Sequence, residues 1–289
     1  MRTGEAGNEA LSPLSRAIIR ASAVAFGALG VVLFVAPAWS AERFPWGVSD
    51  FVAMTIGGWC IGNAVLAWQA AHIWRWRSVY PSLIYLWVFG VLQAGVLVWF
   101  KDKVDLGVAL AWPYVGTLAL AVVAAVVGIR DLVRLRPSRG PEGIPAPRWV
   151  RGLWAFFALF VGFLAVVAAL APKGALNGRV FPEPLTPFTL RAFGAFYLSL
   201  VLGTVALTRA RTMGPTTTFL SGGQGLIVPT TAAAFVYLDR FHVGVHHLQA
   251  LYIAAYLGAF VASMLVLGWE RRARRSNLAP SEPEVALTS

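Results

Sequence analysis

Charge is scarce in this sequence, and negative charge is the scarcer sign. Only 13% of the 289 residues are charged, and 13 acidic residues stand against 24 basic ones. A soluble globular domain carries about 25% charged residues. Hydrophobic residues make up 58% of the chain, and the mean hydropathy is +0.67. These values exclude a soluble globular protein, because one folded core cannot bury so much apolar surface, whereas a lipid bilayer accepts it.

Cysteine is represented by Cys60 alone, which lies within an apolar run. A single cysteine excludes a disulfide within the chain and a cysteine-based metal cluster. Lysine is almost as rare, with 3 residues against 21 arginines. The net charge of +11 would suggest a nucleic acid partner in a soluble protein. Here the arginines occupy short links between apolar runs, so we attribute them to membrane orientation and expect no nucleic acid partner.

Carboxylates are missing from the middle of the apolar runs, since every Asp and Glu lies near a run's end or in a loop or tail. Ion-coupled pumps usually place a carboxylate near the bilayer midplane, so the pattern argues against such a pump. The sequence also lacks a phosphate loop, a nucleophile elbow, a zinc-protease helix and a dinucleotide-binding glycine motif. The enzyme classes that depend on those motifs are therefore not expected.

Eight apolar runs are long enough to cross roughly 30 Å of hydrocarbon. Because a backbone in lipid must satisfy its own hydrogen bonds, each run is predicted to be a helix. The predicted fold class is an all-α integral membrane protein with eight transmembrane helices. The predicted spans are Ala17–Val35, Phe51–Trp68, Leu83–Phe100, Leu106–Ile129, Leu153–Leu170, Ala192–Leu207, Phe219–Leu238 and Leu248–Leu267.

The basic residues are concentrated on one side of these spans. The N-terminus, the links after the second, fourth and sixth spans, and the C-terminal tail hold 17 Arg, while the other links hold six Arg and Lys. Arg191 begins a helix and is not counted. The excess predicts cytoplasmic N- and C-termini in a plasma (inner) membrane. A competing interpretation makes residues 1–38 a secretory signal with a weak cleavage site at Ala36–Ala38.

The sequence repeats itself with an offset of about 137 residues. RWRSVYPS (75–82) matches RARTMGPT (209–216), FPW (44–46) matches FPE (181–183), and DKVDLGV (102–108) matches DRFHVGV (239–245). Each copy contains four spans, and an even number of spans makes both copies point the same way. We therefore predict a tandem duplication of a four-helix unit in parallel orientation. The repeat also argues against the secretory signal, because a matching segment lies in the middle of the chain.

The duplication divides the chain into five parts. Residues 1–14 are predicted to be a disordered tail, 15–136 the first four-helix repeat, 137–149 a Pro/Gly-rich cytoplasmic linker, 150–270 the second repeat, and 271–289 a basic and then polar disordered tail. The second helix of each repeat carries a pair of small residues four apart, Gly58 with Gly62 and Ala195 with Ser199. Such pairs let helix backbones approach closely, so we expect tight packing there.

Three of the four histidines lie in DRFHVGVHH (239–247). His242 and His246 are four residues apart and would share one face of a helix, from which both could bind a divalent metal ion. His247 is a third candidate ligand, and Asp239 or Asp105 would add a carboxylate. The first repeat has no histidine at the matching positions, so the imidazoles are specific to the second repeat. The alternative is an ordinary polar helix start at the membrane interface.

The segment GRVFPEPLTPFTLRAFG (178–194) precedes the sixth span and is stiffened by three prolines. Thr186 or Thr189 is predicted to cap the helix that follows. Arg191 falls in the first turn of that helix, where the dipole disfavours a cation. We expect a partner for it, either Glu183 or Asp239, and an anionic headgroup or substrate is the alternative.

The sequence LSGGQG (220–225) lies inside an apolar span. Its glycines are predicted to thin the helix for packing, and Pro229 to bend it. Gln224, and Gln93 in the third span, are expected to make hydrogen bonds across the bundle. A ligand pocket beside Gln224 and Gln93 is a second interpretation.

Two functions remain open. The first is a non-enzymatic membrane module that binds or transports an apolar or amphipathic molecule between the two halves, or that serves as a membrane subunit of a complex or homo-oligomer. The second is an enzyme at the outer interface acting on a lipid-linked substrate. In that enzyme Asp239, Glu183 and Arg191 would be the catalytic candidates, and the three histidines would supply acid–base or metal chemistry.

Overall fold

The computed structural model describes residues 10–138, 143–170 and 181–278. Over these ranges the chain forms nine α-helices and two short 3₁₀ turns, at 101–103 and 238–240. The helices are α1 (Pro13–Val35), α2 (Pro37–Glu42), α3 (Asp50–Ile73), α4 (Trp76–Trp99), α5 (Ala111–Leu135), α6 (Arg148–Leu170), α7 (Pro187–Thr208), α8 (Met213–Val236) and α9 (His247–Leu278).

Eight of the described helices, all except the short α2, are long and apolar enough to cross a membrane. The all-helical fold predicted from the sequence is thus confirmed over the described ranges, and the eight long apolar helices are of the kind found in multi-pass membrane proteins. Most of the described helices extend beyond the predicted spans by several residues. Helices α4 and α8 begin earlier than predicted, because polar residues that hydropathy passes over form their first turns. Helix α5 begins later than predicted, because the Asp105 and Leu110 amides bond to the carbonyls of Pro45 and Arg43.

Helical residues extend into the ranges predicted for the two tails. Helix α1 begins at Pro13 and is capped by Ser12, whose hydroxyl accepts from the Ser15 amide. At the other end α9 continues to Leu278. Residues 12–14 and 271–278 therefore belong to helix caps and helices. The remaining tail predictions (1–9 and 279–289), part of the linker (139–142) and residues 171–180 lie outside the described residues.

Helices from the two halves of the chain pack across each other. Within the halves, α1 packs against α3 and α6 against α7, while α5 and α9 lie against α4 and α8. Between the halves, α3 packs on α8 and α4 on α7, and α4 also touches α8. The centre of the molecule is therefore an interface between helices that are distant in sequence.

Small residues permit the closest of these crossings. A methyl group added at Gly62 would lie 2.4 Å from Cβ of Leu226, and one added at Gly58 would lie 3.1 Å from the Thr230 amide nitrogen. The expected tight packing of Gly58 and Gly62 is confirmed, and its partner is α8. The glycines at 222 and 225 face back onto α3, so α8 is thinned where it meets that helix.

The loops lie at the two ends of the helix bundle. At one end, here named the terminal end, the Trp74 indole donates to the Leu11 carbonyl (3.0 Å), and Asp131 accepts from the hydroxyls of Ser12 and Ser15. Backbone hydrogen bonds also join the linker at 144–146 to the α7–α8 link at 211–213. The distal end holds the links before α3, before α5 and before α9, together with residues 181–186.

Candidate functional site

An open groove of about 610 Å³ lies between α4 and α7, which come from different halves of the chain. Its lining runs from apolar side chains to arginines at the terminal end. The lining residues are Arg77, Tyr80 and Ile84 of α4, Leu202, Val205 and Ala206 of α7, and Arg209, Ala210, Arg211, Thr212 and Pro215 around the α7–α8 link. The volume lies within the range of about 300–1,000 Å³ typical of ligand sites.

Helical periodicity explains why these residues share the groove. On α7 the lining positions recur at spacings of three and four residues, which places them on one face of the helix. The adjoining face packs on α4 through Gly203, where an added methyl group would lie 3.0 Å from Cβ of Tyr85. The Tyr80 hydroxyl donates to the Ala206 carbonyl (3.1 Å), a carbonyl near the end of α7. The groove therefore runs beside a fixed contact between α4 and α7.

The arginines of the groove come from two matching links of the chain. Arg77 follows the α3–α4 link and is half-buried, whereas Arg209 and Arg211 in the α7–α8 link are exposed. Among the described residues, no carboxylate lies within ion-pair distance of Arg209 or Arg211. The mouth of the groove is therefore positively charged.

The distal end carries the opposite arrangement, a cluster of ion pairs between the halves. Arg240 contacts Asp50 at 2.6 Å and Glu183 at 2.9 Å, and the Ser49 hydroxyl donates to the other oxygen of Glu183. The Glu183, Asp50 and Arg240 side chains are 15%, 29% and 31% exposed. This distal cluster joins the start of α3, the segment before α7 and the α8–α9 link.

Partial burial shifts the proton affinities of the distal cluster. The Arg240 guanidinium lies 4.8 Å from the centre of the Tyr237 ring. Burial, followed by the charge of Asp50, raises the pKa of Tyr237 above its ordinary value. Burial alone would lower the pKa of Arg240, but its hydrogen bonds to Glu183 and Asp50 outweigh burial and raise it. The ion pairs of Arg240 with Asp50 and Glu183 therefore act as an electrostatic clamp between the halves.

A second contact between the halves at the distal end is aromatic. The Trp46 ring stacks on Phe188 with 4.0 Å between ring centres, and its indole donates to the Thr189 hydroxyl (3.1 Å). Thr186 caps α7, as predicted, by accepting from the Thr189 amide. The distal end is thus closed by polar and aromatic contacts.

The histidines do not form the predicted arrangement. Helix α9 begins at His247, and residues 242–246 form a turn, so His242 and His246 do not share a helix face. His242 is exposed, and its Nδ1 lies 2.9 Å from the Arg240 carbonyl. Asp239 is also exposed. Within the described ranges no three His, Cys, Asp or Glu side chains are grouped to hold a metal ion, so the metal hypothesis stays a prediction.

The predicted pairing of Arg191 with Glu183 or Asp239 is corrected by the geometry. Glu183 pairs with Arg240, and Arg191 donates to the Ala168 carbonyl at 2.6 Å. Ala168 lies in the last turn of α6, where the dipole favours a cation. Arg191 therefore caps the end of a neighbouring helix, although it lies near the unfavourable end of its own.

The two glutamines bond across the bundle as expected, but they serve different helix pairs. Gln93 donates to the Ala192 carbonyl (2.8 Å), and Gln224 donates to the Ser263 hydroxyl. Gln93 also lines a small interior cavity together with Trp59 and Cys60. The cavity volume is about 20 Å³, room for about one water molecule. Gln224 does not line this cavity, and a ligand pocket beside Gln224 and Gln93 stays a prediction.

The sequence interpretation missed both the groove and half of the distal cluster. The arginines of the groove were interpreted only as indicators of membrane orientation. Asp50 and Arg240 were not among the predicted site residues. One usable signal was the paired motif RWR (75–77) and RAR (209–211), which places arginines at matching positions of both halves. Comparisons with protein-family models, curated proteins and solved structures find no match to this chain.

Proposed function

We propose that the chain is a non-enzymatic, multi-pass membrane module that binds an amphipathic molecule in the groove between its two halves. The observation that carries this proposal is the groove itself, whose walls change from apolar side chains to arginines toward the terminal end. A molecule with a hydrocarbon part and a polar head matches that gradient. The distal end is closed by the Arg240 ion pairs, so the groove offers access from the terminal end.

We also propose that the halves are a tandem duplication in parallel orientation. Matching positions contact each other, as a two-fold axis between repeated units requires. Trp59 stacks on Phe196 with 4.2 Å between ring centres, and Tyr85 meets Phe219 edge-on at 6.3 Å. Each pair is separated by about the offset that aligns the two sequence halves.

The equivalent glycines of the two halves support the same proposal. Gly57 of α3 packs on the backbone of α1 at Leu33, and Gly194 of α7 packs on the backbone of α6 at Ala168. These are matching positions in both helix pairs. The excess of arginine at the terminal end supports cytoplasmic termini in a plasma (inner) membrane.

Photolabelling with a lipid that carries a diazirine on its acyl chain tests the binding proposal. We expect peptides of α4 and α7 from the wild-type protein in nanodiscs to carry most of the label. The variant Leu202→Trp/Ala206→Trp fills the groove and should lose most of it. Leu198→Trp is the matched control, because Leu198 and Leu202 are both 41% exposed on α7 but only Leu202 lines the groove.

Two labelling patterns would contradict the binding proposal. If the label spreads evenly over all lipid-facing helices, or if the groove-filling variant and Leu198→Trp label alike, the groove is not a binding site. Monodisperse elution of both variants on size-exclusion chromatography shows that their folds are intact.

A further inference from the structure

The strongest feature of the groove that amphiphile binding alone leaves unexplained is its arginine-rich mouth. Resting on the proposed function, we infer that the groove selects a ligand whose head carries a phosphate and a net negative charge. Arg209 and Arg211 line the mouth, both are exposed, and among the described residues neither has a carboxylate partner. Like charges that share a groove repel one another unless an anion lies between them.

Other arginines of the molecule have carboxylate or carbonyl partners within the protein. Arg240 has two carboxylate partners, Arg274 pairs with Glu270 at 2.5 Å, and Arg16 donates to the Ala71 carbonyl at 2.7 Å. The lining of the groove includes no Asp or Glu among the residues that the structure describes. Within the part of the chain that the structure describes, no carboxylate of the lining is offered to Arg209 or Arg211, so an anionic ligand would supply their counter-charge.

Two helix starts lie at the same mouth, beside the C-terminal end of α7. Helix α4 begins at Trp76, next to the groove residue Arg77, and α8 begins at Met213, next to the groove residue Thr212. The Thr212 side chain makes no capping hydrogen bond. The N-terminal ends of helices favour anions, and guanidinium groups bind phosphate oxygens in a bidentate manner.

The rest of the groove suits the hydrocarbon of such a ligand. Ile84, Leu202 and Val205 supply apolar surface away from the arginines. Basic pockets between transmembrane helices on the cytoplasmic side are typical sites for anionic lipid headgroups. Phosphate is the shared chemistry of an anionic lipid and of free phosphate, and the experiment distinguishes these sources.

Native mass spectrometry of the full chain in detergent measures the retained ligand. The probes are phosphatidylglycerol, phosphatidylcholine and inorganic phosphate. The wild-type protein should retain phosphatidylglycerol over phosphatidylcholine, and Arg209→Gln/Arg211→Gln should reduce that preference on the order of tenfold. The control Arg130→Gln/Arg134→Gln removes the same charge from exposed positions of α5 at the terminal end and should keep the preference.

Competition with inorganic phosphate distinguishes a lipid headgroup from free phosphate as the source of the bound phosphate. If millimolar inorganic phosphate displaces phosphatidylglycerol from the wild-type protein but not from the arginine variant, the site takes free phosphate. If it does not displace the lipid, the lipid headgroup is the ligand. Either result supports a phosphate site in the groove, provided that Arg209→Gln/Arg211→Gln has lost the preference for phosphatidylglycerol.

Two further outcomes separate this inference from the proposed function. If Leu202→Trp/Ala206→Trp loses both lipids while the arginine variant keeps the wild-type preference, the phosphate inference is overturned and amphiphile binding stands. If the groove-filling variant retains both lipids as the wild type does, the proposed function fails and the inference fails with it.

Discussion

The two ends of this helix bundle use arginine in opposite ways. At the distal end Arg240 contacts two carboxylates, and the halves are closed around it. At the terminal end Arg209 and Arg211 face a groove whose described lining has no carboxylate. Arginine therefore holds the halves together where Asp50 and Glu183 bind it, and it lines an open groove where the described lining offers no carboxylate. The contrast shows that the position of the few acidic side chains decides which end is closed.

Both ends depend on the α3–α8 contact in the middle, and breaking it should have the largest effect. A side chain at Gly62 would meet Cβ of Leu226 at 2.4 Å and its Cα at 2.6 Å. Gly62→Leu should destabilise the protein by on the order of 3 kcal/mol, because overpacking at a backbone contact forces the helices apart. Thermal unfolding in detergent measures the loss.

Gly223→Leu is the matched control for that variant, since an added side chain at Gly223 meets nothing within 4 Å. It should unfold close to the wild-type temperature. Equal destabilisation by the two leucines would mean that α3 and α8 do not meet at Gly62.

Removing the clamp should have an intermediate effect confined to the distal end. Arg240→Leu leaves Asp50 and Glu183 partly buried without their cation, which should cost about 2 kcal/mol of unfolding free energy. Lipid retention in the groove should stay unchanged, because the groove lies at the terminal end. Thermal unfolding and native mass spectrometry on one sample check both parts.

Lys103→Leu provides the comparison, because Lys103 is an exposed cation in the other 3₁₀ turn of the distal end. It should change stability by less than about 0.5 kcal/mol. If Lys103→Leu destabilises as much as Arg240→Leu, the ion pairs contribute nothing specific.

The smallest expected change in stability is the one measured by alkaline titration of Tyr237, which lies beside the clamp. The pKa of Tyr237 is raised in the folded protein by burial and by the charge of Asp50. The stabilisation linked to this shift is fully present below the unfolded pKa of about 10 and is lost as pH rises above it. The stability difference between wild type and Tyr237→Phe should therefore be constant from pH 7 to 9 and move in favour of the variant above pH 10. A difference that stays constant across the whole range would contradict the raised pKa.

Hydropathy alone determined where the membrane-crossing helices lie. Each span depends on about twenty consecutive apolar residues, a property that is local in the chain. The Thr186 cap could be predicted for the same reason, because a capping side chain bonds to an amide three residues away. The tight packing of Gly58 and Gly62 was likewise predicted, but the partner helix was not.

The partners of individual side chains could not be predicted from the sequence. Glu183 lies near Arg191 in the chain, and this proximity suggested a pair, yet its cation is Arg240 from the link before α9. The histidine spacing failed for a related reason. A separation of four residues places side chains on one face only if the residues are helical, and α9 begins at His247.

The sequence by itself determined that the described part of the chain contains eight long apolar helices, because hydrophobic length and backbone hydrogen bonding are settled within each segment. Only the tertiary structure decided that α4 and α7 leave a groove lined by arginines while Asp50 meets Arg240 at the distal end. Those contacts join residues more than a hundred positions apart. Their geometry follows from how the helices pack, which is decided by shape at crossings such as Gly62 on Leu226 and not by the composition of either helix.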